Sequence, residues 1–295
     1  MLRTRLIVGT ILATLAGGML LIDERFGPWY PFLAATVAFL ATAGTVELWR
    51  LLPSDRRPSL GVVLPGVVLV IAGNWWPLIR SGIWHSSSLP AMQSLPCVMH
   101  AFAAVVLLAF LVEMATFTEP GRSVVRIAIA VWMVAYLGLL PSFLVQLRLS
   151  QPLDSDPAVG SVALALAIFV PKGCDIGAYF TGRLLGRHRM TPVLSPKKTW
   201  EGAIGGMLTA VAVAYWLDRL WLGPQSIYGC EWMFLPLGLS VGLAGLLGDL
   251  AESLVKRDCQ QKDASHAVPG FGGILDVVDA VIFAAPVAYW WLGHA

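Results

Sequence analysis

The sequence is poor in charge. Asp, Glu, Lys and Arg together make up 13% of its 295 residues, about half the ~25% of an ordinary soluble domain. With 57% hydrophobic residues and a mean hydropathy of +0.73, too few polar groups remain to cover a water-facing surface. A soluble globular protein is excluded, and a polytopic membrane protein is expected. Cysteine is scarce as well. Cys97, Cys174, Cys230 and Cys259 are scattered without a C-x-x-C pair, which argues against a zinc site or disulfide framework and leaves them as small, buried apolar groups. The G-x4-G-K-[ST] spacing of a P-loop is absent. There is no low-complexity tail and no separate soluble domain. The first apolar run lacks a small-residue cleavage site and leads straight into further spans, so no cleavable signal peptide is expected. The net charge is only +2, and no nucleic-acid partner is expected.

What is present is apolar length. Nine segments reach the roughly 20 residues that cross a bilayer as a helix: about 5–22, 31–51, 60–79, 98–117, 124–147, 159–181, 203–221, 232–250 and 277–293. Unpaired backbone groups are not tolerated in lipid, so each should be helical. The expected fold is all-α, one membrane domain over 1–295, with a helical scaffold in 1–150 and catalytic helices and cytoplasmic loops in 151–295. With the N-terminus inside, the inner segments carry Arg3, Arg5, Arg50, Arg56, Arg57, Arg122, Arg126, Arg183, Arg187, Arg189, Lys197, Lys198, Lys256, Arg257 and Lys262. The outer ends carry only Arg25, Arg80, Arg148 and Arg219. The bias predicts an N-in, C-out topology. In the first five spans Glu47 and Glu113 read as polar packing groups, and the outer loops at 85–96 and 150–158 as turns.

Chemistry is concentrated after residue 160. The sixth span carries Lys172 and Asp175 within an apolar run, where charge is costly and faces a wet or paired interior. A local ion pair between the two is one reading. Pro171 and Gly173 are expected to break this helix and free backbone groups to line a cavity. Asp175, Tyr179 and Arg183 recur every four residues on one face. A basic loop follows, with Ser195, Pro196, Lys197, Lys198 and Thr199 offering donors and point charge to phosphate; positive-inside loop charge alone is the competing reading. Gly238, Gly242, Gly245 and Gly248 form a small face suited to close helix packing or to a subunit interface. The densest stretch is 248–279, with Asp249, Glu252, Asp263, Asp276 and Asp279 beside Lys256, Arg257 and Lys262. Asp249, Ser253 and Lys256 share a helical face, as do Asp276 and Asp279. Between them the PGFGG run supplies a tight turn. Acid and base clustered beside a bilayer point to a site for metal and phosphate.

This stretch resembles the signature of the phosphatidate cytidylyltransferase family, S-x-x-K-R-x4-K-D, then P-G-H-G-G, then x-x-D-R-x-D. The corresponding residues are Ser253, Lys256, Arg257, Lys262, Asp263, Pro269, Gly270, Gly272, Gly273, Asp276 and Asp279. Phe271 stands where the family has His, and Val277 where it has Arg. A second shared run, D-x-x-A-Y-x-x-G-R-x-x-G then S-P-x-K-T-x-E-G, falls on Asp175, Ala178, Tyr179, Gly182, Arg183 and Gly186, then Ser195, Pro196, Lys198, Thr199, Glu201 and Gly202. The resemblance covers about residues 160–290.

It implies transfer of CMP from CTP to phosphatidate, giving CDP-diacylglycerol and pyrophosphate in phospholipid biosynthesis. Under it Asp249, Asp276, Asp279 and Asp175 would hold Mg²⁺, with room for a second, monovalent cation. Lys256, Arg257, Lys262 and Asp263 would form the catalytic set. Ser195, Lys197, Lys198, Thr199, Ser253, Arg183, Tyr179, Gly272 and Gly273 would bind substrate. Expected partners are CTP, phosphatidate, membrane lipids and a second copy of the chain, in a bacterial inner membrane with the site facing the cytoplasm. Three other readings stay open: a CTP-dependent enzyme for another lipid phosphate or a polyprenol, an inactive homologue, and a transporter. Against the last, there is no inverted repeat, and the polar groups gather at one membrane face.

Overall fold

The computed structural model describes residues 2–84, 94–149, 157–222, 227, 232–265, 267–270 and 272–293. Most of the loops at 85–96 and 150–158, Cys230 and Phe271 fall outside the described residues. Nine helical passages among the described residues are long and apolar enough to cross a membrane. In order these are α1 (Leu2–Asp23), α2 (Pro31–Leu51), α3 (Leu60–Ala72) running through a 3-10 turn into α4 (Trp76–Trp84), α5 (Leu95–Ala115), α6 (Ser123–Val134) running through a π-helical turn at Ala135–Leu139 into α7 (Leu140–Leu149), α8 (Pro157–Leu185), α9 (Trp200–Trp221), α10 (Phe234–Asp258) and α11 (Leu275–Leu292). The outer surface is apolar: Leu107, Leu111, Met114, Leu184 and Leu220 are all exposed, as a hydrocarbon solvent requires.

The first half is tied together by polar contacts at the end of the bundle away from the charged motifs. Asp23 accepts from the first free amides of α2, Phe32 N at 3.1 Å and Leu33 N at 3.0 Å, which meets a need of every helix start. Asn74 donates to Ser142 Oγ at 3.0 Å and accepts from Gln146 Nε2 at 2.5 Å, and Gln146 accepts from Ser94 Oγ at 2.8 Å. Buried polar groups need such partners where water is absent.

Helix α8 is the axis of the second half. Two thirds of its membrane window is buried, more than in any other span, and it packs on α7, α9, α10 and α11. The expected break at Pro171 and Gly173 does not occur, because the helix is continuous from Pro157 to Leu185. Pro171 serves instead as a packing surface: a Cβ on Gly245 would lie 2.5 Å from Pro171 Cβ. The glycine stripe of α10 is consumed inside the chain. A Cβ on Gly238 would meet Val211 Cα at 2.7 Å, one on Gly242 would meet Ala210 Cβ at 2.7 Å, and one on Gly248 would meet the Asp279 carbonyl oxygen at 2.6 Å. Small residues thus let α10 touch α9, α8 and α11 at backbone distance.

Two boundaries differ from the sequence reading in a way that matters. Helix α10 runs to Asp258, past the expected end at 250, so Asp249, Glu252 and Lys256 all ride on one rigid helix. The loop after α8 contains a short antiparallel hairpin, β1 (Arg189–Thr191) on β2 (Ser195–Thr199).

Filling one of these close contacts should be felt at once. Gly248→Val is expected to lower the thermal midpoint in detergent, at the ~1–3 kcal/mol typical of overpacking. Gly17→Ala, whose Cβ would meet nothing within 4 Å, should leave it unchanged. Intrinsic fluorescence of the 12 tryptophans during heating measures both.

Candidate active site

Three carboxylates meet where α10 and α11 converge. Asp249 and Glu252 lie one turn apart on α10, Asp279 lies in the second turn of α11, and one oxygen from each falls within 4.8 Å of the others. Three lysines surround them, each from a different helix or strand. Lys172 on α8 donates to Asp279 Oδ1 at 3.1 Å and lies 3.5 Å from Asp175. Lys198 on β2 reaches Asp249 at 2.8 Å and also donates to the Leu246 carbonyl at 3.3 Å. Lys256 donates to Glu252 Oε2 at 3.0 Å and to Asp276 Oδ1 at 2.5 Å.

The neighbouring segments explain why these side chains can meet. Thr199 ends β2 and caps α9, its hydroxyl accepting from Gly202 N at 3.1 Å. Glu201 accepts from Arg187 N at 3.1 Å and His188 N at 3.2 Å, and lies 2.6 Å from His188 Nδ1. The base of the hairpin is thereby fastened to α9, and Lys198 is carried over the end of α10. On the other side, Val268 and Gly272 exchange backbone hydrogen bonds at 2.7 and 3.0 Å. Gly270 and Gly272 have φ of +84° and +112°, where a side chain would be strained. The turn returns the chain so that Asp276 Oδ2 accepts from Gly273 N at 2.7 Å and Ala264 N at 3.2 Å.

Of the expected metal ligands, Asp249 and Asp279 join the trio. Asp175 stands beside Lys172, and Asp276 is turned toward Lys256 and the loop amides. The local ion pair between Lys172 and Asp175 is present at 3.5 Å, and Lys172 also bridges to Asp279. Tyr179 and Arg183 are exposed and pair with each other at 3.0 Å. Arg257, on the exposed end of α10, donates to the Gln261 carbonyl just past the helix at 3.4 Å. Lys197, Lys262 and Asp263 are exposed, and Ser195 and Ser253 half-buried. None of these is joined to the acidic trio by a hydrogen bond or ion pair among the described residues. Two groups at the site carry no motif. Glu252 was legible as one carboxylate among five, and its place in the trio follows from its i+3 spacing from Asp249. Tyr136 gave no signal. Its hydroxyl is buried with no hydrogen bond among the described residues and lies in the field of Glu252, Asp279 and Asp249.

The donor set suits a hard divalent cation. Oxygens bound to one such ion at ~2.0–2.6 Å can stand no more than roughly 4–5 Å apart, which matches the trio. Glu252 is 1% exposed, yet among the described residues its Oε1 accepts no hydrogen bond; a cation at the trio would satisfy that oxygen. Fully ionised, Asp175, Asp249, Glu252, Asp276 and Asp279 would outnumber Lys172, Lys198 and Lys256 by five to three, an excess that a dication would balance.

The fold and site are those of a helical membrane protein with an acidic, lysine-ringed cluster at one end of its bundle. Residues 3–294 match the Cytidylyltransferase family, and the chain belongs to it. That match extends well beyond the 160–290 stretch that carries the motifs. The chain is 36% identical over 157 residues to the phosphatidate cytidylyltransferase of Haemophilus influenzae, covering 52% of this chain and 53% of that protein. Over 182 residues it is 37% identical to that of Synechocystis, covering 53% and 59%. It is 30% identical over 263 residues to phosphatidate cytidylyltransferase 5, chloroplastic, of Arabidopsis thaliana, covering 77% and 64%. The chain thus spans about half to two thirds of the length of these relatives.

Binding of Mn²⁺, followed by its electron paramagnetic resonance in detergent, should separate the trio from its surroundings. Glu252→Gln and Asp279→Asn are expected to weaken it at least about tenfold, or ~1.4 kcal/mol. Asp263→Asn should leave it unchanged.

Proposed function

We propose that the protein is a phosphatidate cytidylyltransferase, which transfers the cytidylyl group of CTP to phosphatidate and releases pyrophosphate. The observation that carries this reading is the trio Asp249, Glu252 and Asp279 ringed by Lys172, Lys198 and Lys256, in a chain that belongs to the cytidylyltransferase family.

A phosphate oxygen of the lipid attacks the α-phosphorus of CTP in line and pyrophosphate leaves. The nucleophile is already an anion, so no serine or cysteine is required. The difficulty is to bring two anions together. Mg²⁺ held by Asp249, Glu252 and Asp279 would draw phosphate oxygens into one place and offset their charge. Lys198 and Lys256 stand at the rim, tied to carboxylates until phosphate arrives, and would then position it and stabilise charge as it develops. The exposed Lys197, Arg183, Arg257 and Lys262 would gather the triphosphate and the lipid head group from further out. Asp276 keeps Lys256 aimed and the turn closed. The excess of Arg and Lys at this end of the bundle supports a cytoplasmic site in an inner membrane, where CTP is available, with the N-terminus inside. The lipid keeps its tails in hydrocarbon while its head group meets the site at the bilayer edge.

The test is the purified protein in detergent with α-³²P CTP, with and without phosphatidate and Mg²⁺. Label should enter the lipid fraction and pyrophosphate appear only when all three are present. Asp279→Asn should cut the rate by about 100-fold or more. Label that never enters lipid, or a γ-phosphate that does, would overturn the assignment.

A further inference from the structure

Glu47 stands on the last turns of α2, in the half of the chain that carries none of the quoted motifs, and reads from sequence as a polar packing group. In the structure both of its oxygens are committed to the segment in front of α11. Oε1 accepts from Ser265 Oγ at 2.6 Å and from Ile274 N at 3.0 Å, and Oε2 accepts from Leu275 N at 3.0 Å. These are amides at the start of α11, where Ile274 supplies no side-chain cap of its own. Helix starts leave such donors unpaired and favour negative charge, so α2 delivers a cap from more than two hundred residues away. The fit is tight: a Cβ on Gly273 would lie 2.6 Å from Glu47 Oε2. The glycine there leaves the room that the carboxylate uses.

We propose that Glu47 is a positioning residue for the acidic site. It holds the outer side of the turn while Asp276 holds the inner side through Ala264 N and Gly273 N. Between them they fix the first turn of α11, the reach of Asp276 to Lys256 and the place of Asp279 beside Asp249 and Glu252. The N-terminal half is therefore part of the site's geometry, not only a wall around it. Glu47 touches no member of the trio and acts through the turn. Groups that hold ligands in place in this manner typically contribute 10–100-fold to metal affinity or activity.

The test uses the full chain in detergent, with Glu47→Gln, Glu47→Ala and Ser265→Ala, and rests on the proposed enzyme reading only for its kinetic arm. Glu47→Ala should raise the Mn²⁺ dissociation constant about tenfold and speed tryptic cleavage after Lys262, which lies in the exposed approach to the turn. Glu47→Gln, which keeps one acceptor, should fall between it and the native protein, and so should Ser265→Ala. Turnover lost at low Mg²⁺ should recover at high Mg²⁺, which a merely unfolded fraction would not do. Unchanged Mn²⁺ affinity and unchanged cleavage would overturn the proposal, as would losses that track the thermal midpoint alone. If Glu47→Ala does not fold, the two milder variants decide. A native protein that turns over no CTP would remove the proposed function and leave the Mn²⁺ and protease results to judge Glu47.

Discussion

Like charge is crowded into one end of this bundle, and the rest of the structure answers to that. Two carboxylates at ~4 Å repel by about 4 kcal/mol at the effective dielectric of a protein surface, and here five lie within a network linked by three lysines. Lys172, Lys198 and Lys256 come from α8, from the hairpin and from α10. Asp249, Asp276 and Asp279 each find their lysine on another segment. The balance is reached only when all of them dock, and it stops two charges short. A dication would supply the charge that is missing.

Docking so closely requires helices that approach without side chains between them. Lipid supplies no hydrophobic drive for helix association, so contact must come from packing and polar links. The glycines of α10 meet that need on three sides. Gly248 is the most consequential, since it sets α10 against the Asp279 backbone itself and thereby fixes the spacing of the trio. Pro171 contributes as a flat partner to Gly245, a different use from the kink its identity invites.

The N-terminal half reaches the surroundings of the site through Glu47 and Tyr136. Glu47 grips the turn before α11, and Tyr136 lies on a π-helical turn with its ring against Phe283 of α11. Such turns often mark functional positions in otherwise regular helices. Both contacts cross from the motif-free half to the motif-bearing half.

Composition alone determined that this is a multi-spanning helical membrane protein, because so little charge cannot cover a surface in water and a backbone in lipid must pair with itself. The nine spans, the tight glycine turn and the family resemblance were equally legible, since each is written in local sequence. Which acids stand together was not. Asp276 and Asp279 look equivalent three residues apart, yet the turn amides and Lys256 claim one and leave the other to the trio. Glu252, Lys172 and Glu47 acquire their roles from partners up to 228 residues away along the chain. Only the tertiary structure decided these, because a carboxylate's role depends on which cation or amide is nearest, and that distance is set by how the helices pack.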